Sequence, residues 1–258
     1  VDTIQLCRVD VPTGKVNVVI SEVCKPHLSV NMFNYRFVDN GKHIIWWSER
    51  TGKGNYYLYD TNGKLLNRIT QGNDIVAGSI EHIDTISRTM VFAGYGAERG
   101  INPYYRFYYK VGLDGKRQQL LTNGNGYHEL QFSHDRRYAI DRYSRMDMPP
   151  VYNLVDMKSP QRYKEIVRNT TDTLNAAGWH KPHLITVKSA DGKTDLYGLM
   201  YTPSSLDVNR KYPIISNVYP GPQDDQIPLQ FAIDDSGNQS LAELGFIVIN
   251  VAPRGSSP

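Results

Sequence analysis

Tyr219 stands where a side chain could do chemistry, at the end of an apolar stretch and before a rigid turn. Residues 212–218 form the stretch, and Pro220, Gly221 and Pro222 follow the tyrosine. Proline fixes its own φ angle and glycine permits close approach, so this turn would hold the phenol at the strand end. The hydroxyl could then donate a hydrogen bond to an oxygen atom. From the residues alone, packing of the ring is the simpler interpretation.

A second apolar stretch, residues 246–251, ends at a polar motif that includes Arg254. Between the two stretches, residues 240–244 predict a short helix closed by Gly245. Two apolar strands joined across a helix predict a parallel α/β sheet that carries its chemistry on the loops at the strand ends. The first strand is apolar on both faces, which predicts that helices cover it.

An internal repeat governs the first two thirds of the chain. Four residues recur 52 positions later, Gly63, Lys64, Thr70 and Gly72 as Gly115, Lys116, Thr122 and Gly124. Six β-rich stretches accompany the repeat, at residues 43–47, 56–59, 89–94, 105–111, 138–143 and 151–155. Four-stranded units of about 40 to 50 residues are typical of β-propeller blades, and Asn-Gly or Asp-Gly turns supply the positive φ that tight hairpins need. The pattern predicts about three blades, fewer than the ~4 to 8 that close a propeller; an antiparallel sandwich is the alternative.

The chain therefore divides into three parts. Residues 1–168 are predicted to be a partial β-propeller, in which 163–168 form the last strand. Residues 169–182 are a linker with a short helix or turn between Thr171 and Gly178. Residues 183–258 begin with a hairpin and continue into the α/β sheet. The predicted fold class is mainly β followed by α/β.

Composition and charge exclude several classes of function. The chain has 258 residues, of which 40% are hydrophobic, so it can bury a substantial core in one or two domains. Its net charge of +3 is spread without a basic stripe, which argues against nucleic acid as a partner. No apolar stretch approaches the ~20 residues of a membrane span, and we expect none.

Cysteine and histidine positions indicate neither a disulfide nor a metal site. Cys7 and Cys24 flank a predicted hairpin turn at residues 12–15, but their offsets from the turn do not place them opposite each other. We expect two ordinary thiols, no metal and no cofactor. The seven histidines lack metal spacing and lie at positions 27, 43, 82, 128, 134, 180 and 183. Aromatic runs at 46–47, 56–57 and 104–109 could line a sugar or peptide groove, although packing between strands is the favoured interpretation.

Taken together, these motifs resemble the prolyl oligopeptidase family of serine peptidases, and within it the dipeptidyl peptidase IV branch. The residues that carry the resemblance are 45–50, 56–60, 211–213, 218–223, 241–246 and 254–256. The resemblance covers essentially the whole chain, and residues 219–223 are its most specific part. It implies an α/β-hydrolase domain with a Ser–Asp–His triad, capped by a propeller that admits short peptides, which are usually cleaved after proline.

The resemblance also implies a role for Tyr219, which matches the family's tyrosine that donates to the oxyanion hole. A preorganised donor of this kind stabilises the charge that develops on the carbonyl oxygen. A Gly-x-Ser-x-Gly nucleophile motif is absent from the chain, and the Asp and His of this fold follow the Ser. We therefore expect this chain alone to be inactive and the triad to lie beyond Pro258.

Several residues depart from the family pattern and leave alternatives open. Ala252 stands where an Asp is common, Pro220 stands where a Gly is common, and no Glu-Glu pair is present to anchor a substrate amine. The alternatives are a non-enzymatic binding or scaffold propeller with a vestigial hydrolase extension, and an acylaminoacyl peptidase or esterase on the same frame. The resemblance further suggests a peptide substrate, a homodimer and an extracytoplasmic location.

Overall fold

The computed structural model describes residues 2–25, 28–219 and 227–254. The chain forms two compact units. The first unit comprises Val1–Gly100 and Arg106–Asn123, and the second comprises Ile101–Tyr105 and Gly124–Pro258. The sequence predicts a division into a partial propeller, a linker and the start of a hydrolase domain. The two compact units do not test that division, which stays a prediction.

The first unit is built entirely from antiparallel strands within its described residues. Its strands are β1 (Thr3–Val9), β2 (Val16–Val23), β3 (Tyr35–Val38), β4 (His43–Ser48), β5 (Asn55–Asp60), β6 (Leu65–Arg68), β7 (Val76–Asp84), β8 (Thr89–Tyr95), β9 (Phe107–Gly112) and β10 (Gln119–Leu120). β1 and β2 form a two-stranded hairpin, while β3 to β6 and β7 to β10 each form a four-stranded sheet in chain order. Cys7 and Cys24, in or beside the hairpin, are free thiols as predicted.

The sequence repeat has a structural cause at equivalent places in the two four-stranded sheets. The hydroxyl of Thr70 accepts a hydrogen bond from the backbone N–H of Tyr56 at 3.0 Å, and that of Thr122 accepts one from Tyr108 at 3.1 Å. Each threonine thereby continues the pairing of the last two strands of its sheet, β5 with β6 and β9 with β10, beyond the end of the ladder. A buried hydroxyl is needed at both positions, which explains why threonine recurs there.

The aromatic runs at 46–47 and 56–57 pack inside the first unit. Trp46, Trp47 and Tyr56 are almost fully buried. The indole N–H of Trp47 donates to the carbonyl oxygen of Ala77 at 2.7 Å, and the hydroxyl of Tyr56 donates to that of Gly78 at 2.6 Å. Burial raises the pKa of Tyr56 well above its usual range. These rings therefore join one sheet to the next, as the packing interpretation predicts, and line no groove.

The second unit contains a third four-stranded sheet and an α/β sheet. Its elements are β11 (Tyr127–Phe132), β12 (Tyr138–Arg145), β13 (Met148–Asp156), β14 (Tyr163–Arg168), α1 (Asp172–Ala176), β15 (His183–Lys188), β16 (Asp195–Tyr201), β17 (Ile214–Ser216), α2 (Asn238–Glu243) and β18 (Ile247–Val251). β11 to β14 are antiparallel in chain order, and the other sheet has the order β15-β16-β18-β17. β17 and β18 are parallel, as predicted. The expected fold class, propeller blades followed by the first strands of an α/β-hydrolase domain, is confirmed.

β17 corrects the expectation of a long strand covered on both faces. It spans only Ile214–Ser216 instead of residues 212–218, and the side chain of Ile214 is 63% exposed. The reason is that β17 lies at the edge of the sheet, while α2 packs against β16 and β18. The apolar pattern correctly indicated a strand, but only Ile215 of β17 packs against the core cluster that includes Ala242 of α2 within the described residues.

The two sheets of the second unit share one hydrophobic core. Met146, in the turn between β12 and β13, is buried among residues of the α/β sheet and α2. Leu199 and Tyr201 of β16, Ala242 of α2 and Val248 of β18 belong to the same cluster. The tip of a blade hairpin thereby anchors the sheet that carries Tyr219.

Candidate functional site

The loops after β17 and β18 lie at the same edge of the sheet. The two strands are parallel, with Ile214 opposite Ile247 and Ser216 opposite Ile249. The backbone N–H of Asn217 donates to the carbonyl oxygen of Ile249 at 2.9 Å and continues this pairing. In open α/β sheets, ligands bind outside the carboxyl ends of the strands. This edge is therefore the candidate site.

Tyr219 follows β17 at this edge, and its side chain is 52% exposed. Within the described residues, Tyr219 does not belong to the core cluster around Met146. The proline and glycine residues 220–222, which were expected to fix the phenol, lie outside the described residues, as does Gln223. The role of Tyr219 as an oxyanion donor stays a prediction.

Asn217 links the site to α2. Its side-chain Nδ2 donates to Oδ1 of Asn238, the first residue of α2, at 2.9 Å. Asn238 is fully buried, and its side chain also interacts with the buried phenol of Tyr201. Burial raises the pKa of Tyr201 well above its usual range, and the hydrogen bond with Asn238 opposes this shift. Sequence reasoning missed this cluster, because no spacing or motif in the sequence pairs Asn217 with Asn238.

Arg254 is fixed at the carboxyl end of β18 by an ion pair. Its guanidinium donates to Oδ2 of Asp191, in the turn between β15 and β16, at 2.7 Å. The hydroxyl of Ser189, the guanidinium of Arg254 and the backbone N–H of Lys193 all donate to this carboxylate and lower the pKa of Asp191. The predicted hairpin turn thus holds the arginine of the second motif, whereas Gly255 lies outside the described residues.

Ala252, which departs from the family pattern, is a buried core residue. Its methyl group belongs to the cluster around Met146, and its backbone N–H donates to the carbonyl oxygen of Tyr197 at 2.9 Å. A carboxylate at this position would enter apolar surroundings, which is costly without partners. The alanine therefore suits the core that this chain builds.

The described residues contain neither a candidate metal centre nor a membrane-spanning helix. Residues 2–25, 28–219 and 227–254 contain no group of three or more His, Cys, Asp or Glu side chains that could hold a metal ion. The same ranges contain no helix long and apolar enough to cross a membrane. His128, a buried histidine, is instead paired with Asp141 at 2.8 Å.

The chain is similar in sequence to dipeptidyl peptidases over most of its length. It is 28% identical over 222 residues to a probable dipeptidyl-aminopeptidase B of Sordaria macrospora, a match that covers 84% of this chain and 22% of the relative. It is 26% identical over 187 residues to human dipeptidyl peptidase 8, covering 69% of this chain and 20% of the relative. The chain thus spans about a fifth of the length of these relatives.

Solved structures show the same fold. Dipeptidyl peptidase 4 of Porphyromonas gingivalis superposes with a TM-score of 0.78 over 99% of this chain and 35% of that chain, at 22% identity. A putative dipeptidyl aminopeptidase IV of Bacteroides ovatus gives the same TM-score, 0.78, at 24% identity and 38% of its own length. Residues 1–150 match the family described as the dipeptidyl peptidase IV N-terminal region. The chain therefore belongs to the dipeptidyl peptidase IV family.

Proposed function

We propose that this chain is part of a serine peptidase of the dipeptidyl peptidase IV type. The enzyme would hydrolyse short peptides near their N-terminus, after proline or alanine, through an acyl-enzyme. Membership of the family supports the reaction class, and the names of the relatives support a dipeptidyl peptidase. The observation that carries the proposal is the half-exposed phenol of Tyr219, at the edge where β17 and β18 both end.

In this proposal Tyr219 acts on the transition state. When a serine attacks the peptide carbonyl, negative charge develops on the carbonyl oxygen, and the phenol donates a hydrogen bond to it. Because the charge is greater in the transition state than in the substrate, this bond lowers the barrier more than it strengthens substrate binding. The nucleophile, the Asp and the His come from sequence outside the chain, so the chain alone forms no acyl-enzyme.

The test is removal of the phenol hydroxyl in the full-length protein. Tyr219→Phe should lower kcat for a chromogenic Xaa-Pro substrate about 10²- to 10³-fold, the usual loss for one oxyanion donor, with little change in KM. Tyr212→Phe is the matched control, because its hydroxyl accepts a hydrogen bond from the backbone N–H of Asp207 at the opposite end of β17. An unchanged kcat in Tyr219→Phe would remove Tyr219 from the mechanism.

A fluorophosphonate probe and a substrate panel separate the alternative functions. The full-length protein should be labelled at one serine, and the 258-residue chain at none. Absence of labelling and of hydrolysis in the full-length protein would favour a binding or scaffold propeller. Preference for acyl-blocked peptides or esters over free Xaa-Pro and Xaa-Ala peptides would favour an acylaminoacyl peptidase or an esterase.

The extracytoplasmic location, the homodimer and the three-part division of the chain belong to the same proposal. They rest on the resemblance drawn from the sequence motifs. Cell fractionation checks the location, and light scattering on the full-length protein checks the dimer.

A further inference from the structure

The backbone around β17 restrains Tyr219 only weakly. β17 has three residues and a single neighbouring strand among the described residues, and Ile214 within it and Val218 after it are largely exposed. After Ser216, the strand pairing continues only through the bond from the N–H of Asn217 to the carbonyl oxygen of Ile249. A catalytic donor must be held within about 0.5 Å of its productive position, so a further restraint is required.

The side chain of Asn217 supplies such a restraint through α2. Its Nδ2 donates to Oδ1 of Asn238 at 2.9 Å, two residues before Tyr219. Asn238 is itself fixed, because it is 0% exposed and its N–H donates to the carbonyl oxygen of Asp235 at 2.9 Å. Farther along α2, Ala242 is buried in the core cluster that contains Met146. The acceptor for Asn217 therefore belongs to a helix that is packed into the core of the second unit.

The side chain of Asn238 brings three elements together. It accepts a hydrogen bond from Asn217 after β17, and it also interacts with the buried phenol of Tyr201 in β16. An apolar side chain of similar shape at this position would leave the amide of Asn217 without this acceptor. The position of Asn217 therefore depends on the asparagine at position 238.

We propose that Asn238 is a positioning residue of the peptidase site, which holds Asn217 and thereby aims the phenol of Tyr219 at the substrate carbonyl oxygen. This inference rests on the proposed function and deepens it. Asn238 touches neither substrate nor reacting atoms. It acts through Asn217, and its removal should misplace the donor while the triad stays intact.

Kinetics of the full-length protein test the proposal through Asn238→Leu, which keeps the side-chain size and removes the acceptor. We expect kcat for an Xaa-Pro substrate to fall about 10- to 100-fold with KM within about twofold, because small misplacements of a catalytic group have effects of this size. In the double variant with Tyr219→Phe, we expect no loss beyond that of Tyr219→Phe alone. Losses that multiply would mean that Asn238 acts independently of Tyr219 and would overturn the proposal.

The matched control is Gln239→Leu, at the next position of α2. Gln239 is 8% exposed, and its amide contacts Glu243 at 3.0 Å but does not contact Asn217. If disturbance of the helix alone lowered kcat, both leucine variants would be affected alike. We expect Gln239→Leu to change thermal stability and leave kcat within about twofold.

Amide hydrogen exchange separates failure of this inference from failure of the proposed function. In Asn238→Leu, amides of residues 216–219 should exchange faster than in the wild type, and those of β18 should not. If the wild-type protein hydrolyses no peptide, the peptidase assignment fails. The exchange measurement still tests whether the hydrogen bond between Asn217 and Asn238 restrains residues 216–219. Unchanged exchange at residues 216–219 would overturn the positioning role whatever the activity.

Discussion

At the scale of single residues, Glu22 is a buried carboxylate satisfied by side chains far away in sequence. It accepts hydrogen bonds from the indole N–H of Trp46 at 3.3 Å, from the hydroxyl of Ser48 and from the guanidinium of Arg50 at 2.8 Å. Arg50 in turn lies over the ring of Tyr57, 4.4 Å from its centroid. This network joins β2 to β4 and to the loop after it.

Glu22→Ala should therefore be strongly destabilising. It leaves Arg50, Ser48 and the Trp46 N–H without their acceptor, and breaking a buried ion pair by removing one partner costs about 3–5 kcal/mol. Urea denaturation measures the change in the free energy of unfolding. Asp74→Ala is the control, because Asp74 pairs with Lys53 at 3.3 Å on the surface, where a pair contributes only about 0–1 kcal/mol. Similar losses in the two variants would contradict the importance of the buried network.

At the scale of secondary-structure elements, the turn glycines differ in what they touch. Gly63 has a φ of +85°, and a Cβ there would collide with the carbonyl oxygen of Val19 in β2. Gly14 has a similar φ of +67°, but a Cβ there would meet no atom within 4 Å. One turn therefore packs against a neighbouring strand and the other only reverses the chain.

Alanine substitutions at the two positions should separate these effects. Gly14→Ala should cost about 1–2 kcal/mol, the penalty for a Cβ in the left-handed region. Gly63→Ala should cost a further ~1–3 kcal/mol, because overpacking adds to the same penalty. Equal losses in urea denaturation would mean that the backbone of β2 moves aside without cost.

Much of the element structure was predictable because it is encoded locally. The recurrence of Gly63 and Thr70 indicated repeated sheets, and each of these residues has a role within its own turn or strand end. The hydrogen bond between Asn217 and Asn238 was not predictable, since it depends on how α2 packs on the sheet. The predicted length and burial of β17 were wrong for a related reason, because an apolar pattern does not reveal which strand a helix covers.

At the scale of the whole molecule, the β1–β2 hairpin exposes an apolar strip on one face. Val9 lies opposite Val16 and Cys7 lies opposite Val18, and the three valines are 54%, 60% and 53% exposed respectively. The pair forms a two-stranded sheet, whereas the other sheets have four strands. Exposed apolar strand pairs favour association with other chains.

The isolated chain should consequently self-associate as its concentration rises. Sedimentation velocity should show a smaller associated fraction for the double variant Val16→Thr and Val18→Thr, because threonine keeps the β-branched shape and adds a hydroxyl. Val208→Thr is the control, at an exposed valine outside the strands. A strictly monomeric wild-type chain would contradict the expectation that this strip requires a partner.

Oxidation of the Met146 thioether can report on the contact between the two sheets of the second unit. Peroxide converts methionine to a polar sulfoxide, but only when the sulfur can be reached. Because this sulfur is enclosed by side chains from the neighbouring sheet and α2, oxidant can attack it only during moments when the hairpin tip withdraws. The oxidation rate of this sulfur would thus report how often the sheet of β11 to β14 separates from the sheet that carries Tyr219.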